Sequence, residues 1–153
     1  LRIDKSSANA NPISEIQLGR PLPYLQNGNE FCIFATGGIL SEAIKTCKNL
    51  NLKGFNGSVY SFHTLKPIDE LFLREIISRY DVIFSLEEHS LIGGLGSILA
   101  EFILKYGINN KKFKSFGIQD SFCDVVGDQL FLRSKYKLDD NSIQKEIMKL
   151  LEK

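Results

Sequence analysis

The sequence contains few of the residues that bind metal ions or form covalent cross-links. It has two histidines, His63 and His89, and three cysteines, an odd number with no Cys-x-x-Cys pair. The cysteines lie in or beside apolar runs, which favours reduced thiols in a cytoplasmic protein over disulfides or zinc ligands. No ligand spacing surrounds either histidine, so the sequence predicts no metal site. A Gly-x-Ser-x-Gly motif and a Cys/His nucleophile arrangement are also absent from the sequence.

Strong charge of one sign and long apolar runs are absent too. The 153 residues carry 19 basic and 18 acidic side chains, a net charge of +1. These charges are scattered, so we expect no binding to nucleic acid or to an acidic membrane surface. No apolar run approaches the length of a membrane span. The 43% of hydrophobic residues is typical of one soluble globular domain.

The sequence begins at Leu1, and its single methionine is Met148. We therefore expect a piece of a longer protein, in which residues 1–3 end a strand of a preceding domain. Residues 5–14 are rich in Ser and Asn, a composition typical of a linker. This interpretation assigns residues 1–18 to a strand stub and linker, and residues 19–153 to one domain.

Apolar runs of strand length alternate with segments whose apolar residues recur at helical spacing. This alternation predicts βαβ units and a mostly parallel sheet with helices on both faces. Prolines in residues 20–25 indicate an edge segment. Asp69 is a predicted helix N-cap, and Leu71 is among the residues expected to face inward from that helix. The predicted strands are residues 31–35, 58–62, 81–87 and 113–118, and a predicted helix follows each of the first three. Asp139, with the next two residues, is predicted to cap a terminal helix.

An acidic pair, a histidine and a glycine-rich turn follow the strand at residues 81–87. Glu87, Glu88 and His89 could perform acid–base chemistry at the carboxyl end of a strand. The alternative, which we favour, is that they bind loop amides or line a subunit contact. The glycine turn, and a second one after residue 35, could hold an anion or allow close packing. The candidates for an anion site or an interface loop are Thr36, Gly37, Gly38, Glu88, His89, Gly93, Gly94, Gly96 and Ser97.

Four motifs occur in a fixed order along the chain. They are Ala-Thr-Gly-Gly at 35–38, Thr-Leu-Lys-Pro-Ile-Asp at 64–69, Glu-Glu-His-Ser-Leu-Ile-Gly-Gly-Leu-Gly-Ser at 87–97, and Gly-Ile-Gln-Asp-Ser-Phe at 117–122. Their order and spacing resemble the C-terminal domain of the transketolase family, over about residues 19–151. The resemblance implies a three-layer α/β/α domain with a five-stranded, mostly parallel mixed sheet and one antiparallel edge strand.

The resemblance also implies where the cofactor and substrate are held. In this family thiamine diphosphate and its magnesium are bound by two upstream domains, whose Gly-Asp-Gly motif and activating glutamate this sequence lacks. We therefore expect no catalytic residue, cofactor or metal in this segment. An arginine of the preceding domain holds the sugar phosphate in transketolases. Lys5 falls at its place, with Arg2 as the neighbouring alternative.

The resemblance finally implies a function. It predicts the non-catalytic assembly domain of a thiamine-diphosphate-dependent enzyme that moves two-carbon ketol units between sugar phosphates. Its partners would be the upstream thiamine-binding domains or subunit and a second copy in a homodimer, with Glu88 and His89 at the contact. One alternative is the same domain of a deoxyxylulose-phosphate synthase or of a 2-oxo acid decarboxylase beta subunit. Another is a stand-alone module that binds an anion between the two glycine loops.

Overall fold

The computed structural model describes residues 15–108 and 110–152. The expected strand stub, Arg2, Lys5 and most of the predicted linker lie outside the described residues. The strands are β1 (Leu22–Gln26), β2 (Phe31–Thr36), β3 (Gly57–Ser61), β4 (Val82–Ser90) and β5 (Lys112–Ile118). The helices are α1 (Leu40–Leu52), α2 (Glu70–Ser78), α3 (Leu95–Lys105), α4 (Gln129–Lys135) and α5 (Asp140–Leu151).

The five strands form one sheet in the order β1-β3-β2-β4-β5. Strands β2, β3, β4 and β5 run parallel to one another, and β1 pairs with β3 in the antiparallel direction. The proline-containing segment is therefore the antiparallel edge strand. The predicted fold class, a mostly parallel mixed sheet between helices, is confirmed.

Alternate residues of the central strands point to two separate cores. Helices α1 and α5 cover one face of the sheet, and α2 and α3 cover the other. The first core contains Phe31, Ile33, Ala35, Phe84, Ala43 and Ile143, and the second contains Cys32, Phe34, Ile83, Leu73, Leu99 and Phe102. Burial on both faces explains why the central strands are continuous apolar runs.

Aspartates begin three of the helices. Asp69 accepts a hydrogen bond from Phe72 N at 3.0 Å, and Asp139 accepts one from Ser142 N at 3.0 Å. Both were predicted as caps. The prediction for Leu71 was wrong, because this side chain is 83% exposed. The buried positions of α2 are Leu73, Ile76 and Ile77, which recur at helical spacing.

Two further differences from the prediction affect the site. Strand β4 continues to Ser90, three residues beyond its predicted end. The seven-residue helix α4 was not predicted, and Asp128 caps it by accepting from Phe131 N at 2.8 Å. No helix within the described ranges is long and apolar enough to cross a membrane.

Candidate functional site

The two glycine segments lie at the same edge of the sheet. Strands β2 and β4 are parallel neighbours, so their carboxyl ends meet, and Thr36 is the register partner of Glu87. Gly37 follows with a positive φ of 79° and begins a short 3-10 turn into α1. Glu88, His89 and the second glycine turn follow Glu87. The structure thus brings the sequence-predicted loops together at the edge where open α/β sheets bind ligands.

Glu87 is a cap for helix α3. Its side chain is 2% exposed, its Oε2 accepts from Leu95 N at 2.8 Å, and its Oε1 accepts from Gly96 N at 2.8 Å. These are the unpaired amides that would bind a phosphate at a helix N-terminus. An internal carboxylate therefore fills the place that the anion interpretation gave to a ligand.

The glycines of this turn allow close packing. A Cβ at Gly94 would overlap the Glu87 carboxylate, and a Cβ at Gly96 would lie 2.5 Å from Ser115 Oγ. The Ser97 hydroxyl closes the turn, since it accepts from Gly93 N at 2.9 Å and donates to the Leu91 carbonyl at 3.0 Å. The turn is therefore held by contacts within the chain, which favours the packing interpretation.

Glu88 binds an arginine that sequence reasoning missed. Arg133 of α4 donates through Nε to Glu88 Oε1 at 2.7 Å and through a terminal nitrogen to Oε2 at 3.1 Å. This is the bidentate geometry of a strong guanidinium–carboxylate pair. Gln129 adds a contact of 3.2 Å to each carboxylate oxygen.

The same arginine also faces a buried carboxylate of α1. Arg133 is 6% exposed, Glu42 is 3% exposed, and their nearest nitrogen and oxygen are 3.5 Å apart. Glu42 also binds Lys45 at 3.1 Å and accepts from Asp140 N at 3.3 Å. We call Glu42, Glu88 and Arg133 the charge cluster. It connects the end of β4 to α1, α4 and the start of α5.

Glu88 has a partner within the chain, because Arg133 binds its carboxylate. The location of Glu88 and His89 at a dimer contact stays a prediction. His89 remains exposed, and its Nδ1 lies 3.0 Å from the Ser90 carbonyl oxygen. Ile92, three residues later, is 69% exposed. His89 and Ile92 are thus the side chains at this turn that face outward.

The described residues define a three-layer α/β/α domain whose acidic residues at the carboxyl edge bind backbone amides and an arginine of the same chain. Within the described ranges, no group of three or more His, Cys, Asp or Glu residues could hold a metal ion. The model of the family "Transketolase, C-terminal domain" matches residues 22–143, and the chain belongs to this family. The predicted family is thereby confirmed.

Individual relatives agree with this assignment. The chain is 38% identical over 130 residues to a "Putative transketolase C-terminal section" of Methanocaldococcus jannaschii, covering 84% of the chain and 39% of that relative. It is 31% identical over 123 residues to the 1-deoxy-D-xylulose-5-phosphate synthase of Aquifex aeolicus, covering 80% of the chain and 19% of that enzyme. The chain therefore spans a minor part of both relatives.

Two solved structures have a similar fold. A "Split gene transketolase, inactive beta4 tetramer" superposes with a TM-score of 0.80 at 27% identity, covering 95% of this chain and 46% of that one. A transketolase from Campylobacter jejuni superposes with a TM-score of 0.63 at 16% identity, covering 92% of this chain and 20% of that one. The second likeness shows the fold alone.

Proposed function

We propose that this chain is the non-catalytic assembly domain of a thiamine-diphosphate-dependent, transketolase-like enzyme of the cytoplasm. That enzyme would transfer two-carbon ketol units between sugar phosphates. The observation that carries the proposal is that the acidic residues at the carboxyl edge of the sheet bind groups of the same chain. Glu87 caps α3, and Glu88 is bound by Arg133. Neither carboxylate is left as a general acid or base.

The upstream part of the enzyme would hold the cofactor and its magnesium. When bound there, thiamine diphosphate would supply the nucleophilic chemistry that ketol transfer requires. The chain lacks the Gly-Asp-Gly motif, and its described residues offer no metal cluster. We propose that Lys5, or its neighbour Arg2, contacts the substrate phosphate, because either side chain supplies the positive charge that a phosphate requires. We also propose that residues 1–18 are the strand stub and linker and that the domain begins at residue 19.

The partners would be the thiamine-binding domains or subunit, with a second copy in a homodimer. Support comes from the names of two similar proteins, one a C-terminal section and the other a split-gene product that forms an inactive tetramer. Both names describe a separated part of a transketolase. His89 and Ile92 would contribute to the contact because they are the outward-facing side chains at the turn.

A second candidate reaction is the formation of deoxyxylulose phosphate. The observation that favours it is the 31% identity to the Aquifex aeolicus synthase. In this reaction the donor is a 2-oxo acid, which loses carbon dioxide, rather than a ketose phosphate. A 2-oxo acid decarboxylase beta subunit would share that donor class and differ in the acceptor.

The test uses the assembly that contains this chain, purified from its source cells. It is supplied with thiamine diphosphate and magnesium and offered a ketose phosphate with an aldose phosphate, or pyruvate with glyceraldehyde 3-phosphate. Mass spectrometry identifies the product. Ketol transfer with the first pair supports the proposal, carbon dioxide release with the second favours the alternative, and activity with neither pair contradicts both.

The assembly role needs a test of its own. His89→Ala should weaken self-association, measured by sedimentation, and leave kcat of the assembled enzyme within about twofold. Glu101→Ala, on the exposed side of α3, is the matched control and should change neither quantity. A fall in kcat of more than a hundredfold at full assembly would show that the domain supplies a catalytic residue.

A further inference from the structure

One edge of the sheet is open among the described residues. Strand β5 is the last in the order and pairs with β4 alone. Lys112 N donates to the Asp81 carbonyl at 3.1 Å, and the Ile118 carbonyl accepts from Leu91 N at 3.0 Å, so both groups point towards the β4 side. Backbone groups of successive strand residues alternate in direction. Residues 113, 115 and 117 therefore present their N–H and C=O groups to the open edge.

A cleft of about 920 Å³ lies along this edge. Four consecutive residues of β5, 114–117, line the cleft. The face of a strand would contribute only alternate residues, so the cleft lies against the edge of β5. The opposite wall is α5, whose lining residues Ser142, Lys145 and Lys149 recur at helical spacing. We call this cleft the β5–α5 groove. A strand edge facing a helix flank is the arrangement that accepts one extended peptide by strand addition.

The charge of the groove indicates which kind of ligand it would bind. Its lining includes five lysines and two glutamates, namely Lys114, Lys135, Lys137, Lys145, Lys149, Glu146 and Glu152. Glu146 already binds Lys114 at 2.7 Å and Lys149 at 2.5 Å. Within residues 15–108 and 110–152, no carboxylate forms an ion pair with Lys135, Lys137 or Lys145. The groove therefore has an excess of positive charge next to unpaired backbone groups.

We propose that the β5–α5 groove binds an extended acidic peptide segment as an added strand. The peptide backbone pairs with residues 113, 115 and 117, and its acidic side chains face Lys135, Lys137 and Lys145. Leu91, Phe116, Leu138 and Met148 supply the apolar part of the lining. A second copy of the chain is a poor occupant, because it would bring two grooves with an excess of positive charge together.

The probe is a fluorescein-labelled heptapeptide of alternating valine and glutamate, and its counterpart has lysine in place of glutamate. Fluorescence anisotropy measures both against the protein. The acidic peptide should bind at least tenfold more tightly than the basic one. Lys135→Glu with Lys145→Glu should weaken its binding at least tenfold. The matched control, Lys48→Glu with Lys66→Glu, changes the net charge equally at exposed positions outside the groove and should leave binding within about twofold.

A backbone variant tests strand addition apart from charge. Ser115→Pro removes an N–H that points to the open edge and leaves the bonds to β4 in place. It should abolish binding of the acidic peptide, whereas Ser115→Ala keeps the N–H and should retain binding. Circular dichroism checks that both variants are folded. The proposal is wrong if the acidic peptide does not bind, or if it binds the groove variant and the control variant with equal affinity. The lysines would then protect the strand edge against aggregation instead.

Discussion

The carboxylate of Glu87, at the end of β4, accepts a hydrogen bond from the backbone N–H of Gly96, in the first turn of α3, at 2.8 Å. The second oxygen accepts from the preceding N–H at the same distance. A negative charge at a helix N-terminus is favoured by the helix dipole and by unpaired amides. Because the site is buried, water is not available to replace either bond if the carboxylate is removed.

Removing this carboxylate should destabilise the domain. Glu87→Ala leaves two buried N–H groups unpaired, and we expect the free energy of unfolding to fall by about 2–4 kcal/mol. Glu87→Gln keeps one acceptor and should cost about half as much. Urea unfolding measures both, with Glu101→Ala on the exposed side of α3 as the control, expected within about 0.5 kcal/mol. A Glu87→Ala variant as stable as the control would show that the cap contributes nothing.

A second prediction concerns Gly94, which packs against the Glu87 carboxylate. A Cβ at this position would overlap both carboxylate oxygens, so Gly94→Ala should displace the side chain and lose the cap. We expect a loss of at least about 2 kcal/mol. In the Glu87→Ala background the same substitution should cost at least about 1 kcal/mol less, since the crowded group is gone. Additive losses in the urea double-mutant cycle would contradict this interpretation.

Sequence reasoning was sufficient for most of the fold. The continuous apolar run at residues 31–35 and the aspartate caps at Asp69 and Asp139 are local signals, and each was confirmed within a residue or two. Leu71 was assigned to the wrong face of α2. Leu73 lies three and four residues before the buried Ile76 and Ile77, so helical spacing favours Leu73 over Leu71 as the inward residue.

The charge cluster could not be predicted by the same means. Glu42 and Arg133 are 91 positions apart, and their contact depends on how α1 and α4 dock. A carboxylate at Glu42, between the buried Leu40 and Ala43, was a signal for a buried partner but did not identify it. Helix α4 is only seven residues long, too short for a clear apolar stripe.

Loss of the shared arginine should be costly. Arg133→Met leaves the buried carboxylate of Glu42 without its guanidinium, and we expect the free energy of unfolding to fall by about 3–5 kcal/mol. Adding Glu42→Gln should recover at least about 1 kcal/mol, because the uncompensated charge is removed. Thermal and urea unfolding measure both. Arg79→Met, which breaks an exposed pair with Glu75, is the control and should cost less than about 1 kcal/mol.

If Arg133→Met is no more damaging than Arg79→Met, the cluster has no role in stability. If the double variant is less stable than the single one, the charge on Glu42 is satisfied by Lys45 and the amide of Asp140 instead.

The three thiols should differ in reactivity. Cys32 and Cys47 are buried and free, and Cys123 is exposed. Burial raises the pKa of the Cys47 thiol to about 12 and also raises that of Cys32. We therefore expect a maleimide to add once to the native protein and three times in urea, counted by intact mass. Cys123→Ser should remove the native adduct, and a second native adduct would show that a core opens.

The last prediction is the pH dependence of the ion pair between Lys114 and Glu146. Lys114 and Lys149 lower the pKa of the Glu146 carboxyl from 4.5 to about 2. The pair should therefore stabilise the fold above pH 4.5, and its contribution should vanish as the pH falls towards 2. Because both side chains are more than a third exposed, Glu146→Gln should cost less than about 1 kcal/mol at pH 7 in urea unfolding. In a Lys114→Met background that cost should shrink. An equal cost at pH 7 and pH 2.5 would contradict the assignment, because at pH 2.5 the carboxyl is protonated in the unfolded chain and has to lose that proton to form the pair.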